Sequence, residues 1–167
     1  LKHIDDTFQS RIKTLYSTTE TLESQLAQSD LTIGAVLVPG AAAPKLVTRD
    51  MLKTMKNGAV LVDVAIDQGG CFETSKATTH ADPTFEIDGI VHYCVANMPG
   101  GVARTSTFAL TNATLPYAIR IANNGLDALK HDPHLLAGLN VHLGKVTNKP
   151  VCDALGYTYY EASSVLA

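Results

Sequence analysis

Asp67 stands directly after the apolar run AVLVDVAI (residues 59–66) and is followed by Gln68, Gly69 and Gly70. A carboxylate at the mouth of an apolar segment can orient or accept a proton, and its surroundings can tune its pKa for that work. The two glycines let backbone approach a bound molecule closely. A helix cap or a turn aspartate is the alternative reading of the same residue. Asn97 has a comparable place after IVHYCVA (90–96). Its amide pairs a donor with an acceptor, and a plain turn residue before Pro99 explains it nearly as well. Lys45 and Lys76 could each neutralise a phosphate, although solvated surface lysines are the commoner case. Asp63, inside the first of these apolar runs, reads as paired in the core or at its margin, with no chemical role assigned.

These residues need elements to hold them. Leu1, Ile4 and Phe8 fall at helical spacing, and RIKTLYS (11–17) reads as a short strand. Thr18 or Thr19 can cap a helix running to about Gln28. LTIGAVLV (31–38) is nearly continuous in apolar residues, as a parallel strand covered on both faces would be; it stops at Pro39-Gly40. Thr48 opens a helix with Met51, Leu52 and Met55 on one face, ended by Asn57-Gly58. The runs 59–66 and 90–96 supply two more buried strands, with a looser stretch around Pro83 between them. A helix is expected from Thr105 to about Asn123, kinked near Pro116, and another after Asp132-Pro133.

Strands alternating with helices imply right-handed crossovers and a parallel sheet. The fold class expected is α/β: the C-terminal part of a Rossmann-type, doubly wound parallel sheet over residues 1–104, followed by C-terminal helices over 105–167. In such sheets ligands bind beyond the carboxyl ends of the strands. Three strand exits, at 36–40, 65–70 and 95–99, should therefore open on one edge. There Asp67 would face a nicotinamide ring or a reacting carbon, and Asn97 would hold a carboxamide or a ribose hydroxyl. Ser17 would either bond the adenosine end of a dinucleotide or cap a helix. No G-x-G-x-x-G occurs in the sequence. The loop that cradles pyrophosphate, and the acidic residue for the ribose about 20 residues on, are expected upstream of Leu1. The opening in mid-helix likewise reads as part of a longer chain.

Composition narrows the classes. Of 167 residues 46% are hydrophobic and 17% charged, with a net charge of −3 and no basic run. This is a globular profile, without the positive surface that nucleic acid or an anionic membrane would call for. No apolar run is long enough to cross a bilayer, and no targeting leader is visible. Cys71, Cys94 and Cys152 are odd in number and widely spaced, which reads as free thiols in a reducing compartment. The histidines form no zinc-type cluster.

The blocks GAVLVPG (34–40), VDVAIDQGGC (62–71), VANMP (95–99), TST (105–107) and ALTNAT (109–114) resemble the alanine dehydrogenase family. That family lies within a larger group that includes the transhydrogenase alpha subunit, and the resemblance covers essentially the whole chain. AIDQGG favours alanine dehydrogenase, since transhydrogenases usually carry a glutamate in that loop. The resemblance implies NAD-dependent, reversible oxidative deamination of L-alanine to pyruvate and ammonium in a cytoplasmic homohexamer. It implies Asp67 as the catalytic aspartate. It implies NAD contacts at Ser17, Val36, Leu37, Val64, Ala65, Ile66, Asp67, Val95, Ala96, Asn97 and Met98. Lys76 matches a basic cofactor-side position that is often arginine. Asn124 stands where some relatives carry a histidine proposed to touch a metal, so no metal is assigned. The family's substrate-binding arginine and lysine and its catalytic histidine belong to an N-terminal domain, and none of the six histidines here takes that role. Two alternatives stay open: a transhydrogenase alpha subunit, and a non-catalytic truncated product.

Overall fold

The computed structural model describes residues 1–38 and 42–166, which form two compact units. The strand stop expected at Pro39-Gly40 lies outside the described residues.

The first unit comprises Leu1–Val36 and Ala43–Ala96. It opens with helix α1 (Lys2–Phe8), a 3₁₀ turn (Gln9–Arg11) and helix α2 (Thr19–Leu26). Thr18 caps α2: its hydroxyl accepts from the Thr21 N–H at 3.2 Å, and the Thr21 hydroxyl accepts from the Thr18 N–H at 2.9 Å, a reciprocal capping pair. Strand β1 (Leu31–Gly34), helix α3 (Arg49–Leu52), strand β2 (Val60–Asp63), strand β3 (Thr84–Ile87) and strand β4 (Ile90–Tyr93) complete the unit. Their sheet has the order β1-β2-β4-β3, with β1, β2 and β4 parallel and β3 antiparallel to β4. The expected α/β class with a mostly parallel sheet is what is found.

Thr48 caps α3, whose Met51 and Leu52 are buried with Met55 just beyond it. With Leu26, Leu61, Phe72 and Ile90 they belong to the main core. The helix proper is a single turn, shorter than the pattern predicted, and Gly58 (φ +81°) closes the segment.

Other expectations change. RIKTLYS (11–17) forms no strand. A strand exists only as part of a hydrogen-bonded ladder, and no described segment pairs with these residues; Tyr16 is 77% exposed. The apolar runs are longer than the strands they contain: β1 ends at Gly34, β2 at Asp63 and β4 at Tyr93. The run 31–38 is not covered on both faces either. Among the described residues β1 pairs with β2 alone, and its Leu31 and Ile33 are 55% and 60% exposed. The looser stretch around Pro83 contains β3, joined to β4 by Asp88-Gly89 with φ of +52° and +80°. That Asp-Gly pair between two β-rich runs is a two-residue hairpin signal.

The second unit comprises Leu37–Ala42 and Asn97–Ala167. A 3₁₀ turn (Met98–Val102) leads into helix α4 (Ala103–Asn124), which is helical through Pro116 and has no buried residue. Helices α5 (Asp127–Lys130) and α6 (Pro133–Ala137) follow. Asp132 caps α6 by accepting from His134 N at 2.8 Å and Leu135 N at 3.2 Å. A small hairpin of β5 (Val141–His142) and β6 (Lys145–Val146) precedes helices α7 (Lys149–Leu155) and α8 (Ala162–Val165). Ala128, Leu129 and Leu166 form this unit's own core.

Candidate functional site

In the first unit the parallel register sets Gly34 beside Asp63 and Val62 beside Tyr93, so β1, β2 and β4 end on one edge of the sheet. Val36, Val64 and Val95 lie just past those ends. After Asp63 the chain tightens into a 3₁₀ turn, Val64–Gln68, closed by Gly69 N–H to the Ile66 carbonyl at 2.9 Å and Gly70 N–H to the Ala65 carbonyl at 3.0 Å. Both glycines have positive φ, +89° and +76°, a region that side chains with a Cβ rarely enter. The turn sorts its residues: Ala65 and Ile66 are buried, while Val64 and Asp67 are exposed. Asp67 is therefore presented outward at the carboxyl edge of the sheet, on a turn floored by its own apolar neighbours.

The turn is fastened from two directions. The fully buried Asp63 carboxylate accepts from Cys71 N at 2.9 Å, from Phe72 N at 3.3 Å and from the Ser75 hydroxyl, with the Cys71 thiol 3.5 Å away. Across the turn, the Lys45 ammonium donates to the carbonyls of Gly69 and Gly70 at 2.5 and 2.8 Å. The segment carrying Lys45 runs alongside: Ala43 N donates to Gln68 O, Leu46 N to Cys71 O, and Glu73 N to Val47 O. Gly34 makes room for this packing, since a Cβ there would lie 2.3 Å from Cys71 Sγ.

The neighbouring titratable groups are quiet. Burial and the adjacent Asp63 charge push the Cys71 thiol up to about 11, and burial raises Cys94 too; neither is poised as a nucleophile. Fully buried His92 is held neutral by desolvation. Its Nδ1 donates to the Ile90 carbonyl at 2.9 Å, so its Nε2 accepts from the Thr74 hydroxyl at 2.8 Å. Phe85 stacks on this ring at 4.9 Å, and the Lys76 ammonium lies 5.1 Å from the Phe85 centroid. Ser17 sits apart from the strand-edge turn, in a cleft of about 190 Å³ lined by Leu15, Tyr16, Thr21, Leu22 and Gln25. Because Thr18 takes the capping role, Ser17 is left exposed in that cleft. Leu37, Asn97 and Met98 fall in the second unit, where Asn97 (φ +54°) starts the 3₁₀ turn and accepts from Gly100 N at 2.8 Å. Among the described residues no group of three or more His, Cys, Asp or Glu could hold a metal ion.

Residues 1–149 match the family model for the alanine dehydrogenase/PNT C-terminal domain. The chain belongs to this family. It is 64% identical to alanine dehydrogenase of Halomonas elongata over 99% of its own length and 45% of that protein. It is 55% identical to alanine dehydrogenase 2 of Staphylococcus aureus over the same shares. A solved L-alanine dehydrogenase structure superposes with a TM-score of 0.81 at 47% identity, covering 93% of this chain and 43% of that one. The chain thus spans less than half the length of the relatives it matches.

Within this alanine dehydrogenase/PNT domain, two residues matter more than the sequence indicated. Asp63 had one signal, a charge inside an apolar strand, which must be paired if buried. Lys45 had none, because its partners lie 24 and 25 residues away. No helix among the described residues is long and apolar enough to cross a membrane.

Proposed function

We propose that this domain forms the dinucleotide side of an NAD-dependent alanine dehydrogenase, which interconverts L-alanine with pyruvate and ammonium. The observation that carries the reading is the outward Asp67, held on a doubly fastened turn at the carboxyl edge of a parallel sheet, where such folds bind dinucleotides. The turn fits that ligand: no atom lies within 4 Å of where a Cβ on Gly69 would stand, and exposed Val64 offers an apolar contact beside it.

When bound, NAD supplies the hydride acceptor. Asp67 orients the amine or the attacking water and holds its proton. Val64, Ala65, Ile66, Val95 and Ala96 shape the floor beneath the ring with Val36 beside them, and Leu37, Asn97 and Met98 are the further cofactor contacts that the family resemblance implies. Ser17 lies at the adenosine end and Lys76 on the cofactor's flank. The sequence from 1 to 104 belongs to the dinucleotide-binding domain, and 105–167 is a helical segment that covers a substrate domain. The assembly is a homohexamer working in the cytoplasm with small-molecule partners; the net charge of −3 fits the reading that these include neither nucleic acid nor an anionic membrane.

The test is a chimera joining this chain to the preceding part of the Halomonas elongata relative. Alanine-dependent reduction of NAD is expected, and Asp67→Asn should abolish it while leaving thermal unfolding unchanged. A chimera that folds cooperatively yet reduces no NAD, beside an active Halomonas control, would overturn the proposal. So would an Asp67→Asn variant of full activity.

A further inference from the structure

We infer that Lys45 is a positioning residue for the reaction: its ammonium, gripping the carbonyls of Gly69 and Gly70, fixes the turn that presents Asp67. The inference rests on the functional reading above. It starts from an oddity of placement. Lys45 is exposed, yet its charge is spent on two backbone carbonyls of one turn, at 2.5 and 2.8 Å.

Those carbonyls belong to consecutive positive-φ glycines, the most freely pivoting pair in the segment. On their C-terminal side the chain is anchored by Asp63 through Cys71, Phe72 and Ser75. On their N-terminal side Ala65 and Ile66 are buried. Between these anchors, Gly69 would have no atom near a Cβ, so side-chain packing does not hold it. The two glycines' N–H groups close the turn on Ile66 O and Ala65 O, and Lys45 is the side chain that ties down their carbonyls. Beside it, the backbone bonds from Ala43 N to Gln68 O and from Leu46 N to Cys71 O align its segment with the turn. Two of the three ammonium donors are thus committed to the turn backbone.

The experiment uses the chimera with Lys45→Met, a substitution that keeps length and removes the donors. Loss of alignment at a reacting carboxylate lowers kcat by about tenfold to a hundredfold. The melting temperature should stay within about 2 °C, as for other exposed sites. The Kd for NAD, from fluorescence titration, should change by less than about twofold. A KM for alanine that holds while kcat falls completes the expected pattern, which a general loss of structure would not give. A kcat within twofold of the parent, with Asp67→Asn inactive, overturns the role of Lys45 and leaves the functional reading intact. A Kd for NAD raised tenfold with kcat unchanged at saturation also overturns it, since Lys45 would then be a cofactor contact. If Asp67→Asn keeps full activity, it is the functional reading that fails. Should Lys45→Met lose its cooperative transition, Ser75→Ala loosens the same turn from its other anchor and is judged by the same split.

Discussion

The Asp63 carboxylate and the Cys71 backbone N–H meet at 2.9 Å, eight residues apart, and so close the loop that carries Asp67. Asp63 ends β2 and has no exposed surface, and Phe72 N and the Ser75 hydroxyl share its oxygens. Buried donors left without partners are costly. Asp63→Ala is expected to destabilise the chain by on the order of 3 kcal/mol, read as a lower urea midpoint with an unchanged slope. A midpoint that stays where it was would show that these contacts contribute little to the fold.

The same loop packs so closely on β1 that Gly34 has no room for a methyl group, with Cys71 Sγ at 2.3 Å and Phe72 Cζ at 2.7 Å from a Cβ built there. Gly34→Ala should cost about 1–3 kcal/mol through overpacking. Cys71→Ala removes the nearest obstacle, so the double variant should recover part of the loss. Additive losses in the two variants, measured as a double-mutant cycle in urea, would show that the two residues do not share this space.

What the sequence disclosed follows from how far apart its partners stand. Capping at Thr18 and Thr48 was legible because each side chain bonds within three residues, and the start of α6 was legible from Pro133. The three parallel strands were legible because apolar runs need cover. Asp67 stood out by its place after a strand and before two glycines. Strand length was not legible, since the ends at Gly34 and Asp63 are set by how the 69–75 loop seats on them. RIKTLYS has β-like composition and lacks a ladder partner, which composition does not reveal. The Asp88-Gly89 hairpin carries a local signal, a two-residue turn between β-rich runs. The grip of Lys45 on Gly69 and Gly70 leaves no periodic trace at all.

His92 makes the stability depend on pH. Desolvation lowers its pKa below the ordinary value of 6.5, so the folded state prefers the neutral ring, while the unfolded chain takes up a proton near that ordinary value. Between the two the unfolded state binds more protons, and stability rises with pH. The contribution is full above about 6.5 and is lost as pH falls through the folded-state value. Urea midpoints measured from pH 7.5 down to 5 should therefore decline, and His92→Gln should flatten that part of the decline. An identical slope in the variant would assign the titration to other groups.

The cysteines give the last prediction. Cys71, Cys94 and Cys152 are all free and buried. Cys71 is raised to about 11 by desolvation and by the charge of Asp63, and Cys94 is raised by desolvation. A thiol reacts as its thiolate, and these two are shielded as well as protonated. At pH 8 the native chain should react with a disulfide reagent only as fast as it opens, and three thiols should appear at once in denaturant. Asp63→Asn removes the charge that faces Cys71 and loosens the loop above it, two effects that pull in the same direction. Its Cys71 should be labelled faster in the folded chain, identified by peptide mass, while Cys152, which belongs to the second unit, keeps its native rate. Equal rates for Cys71 in the parent and the variant would mean that Asp63 neither charges nor closes the pocket around it.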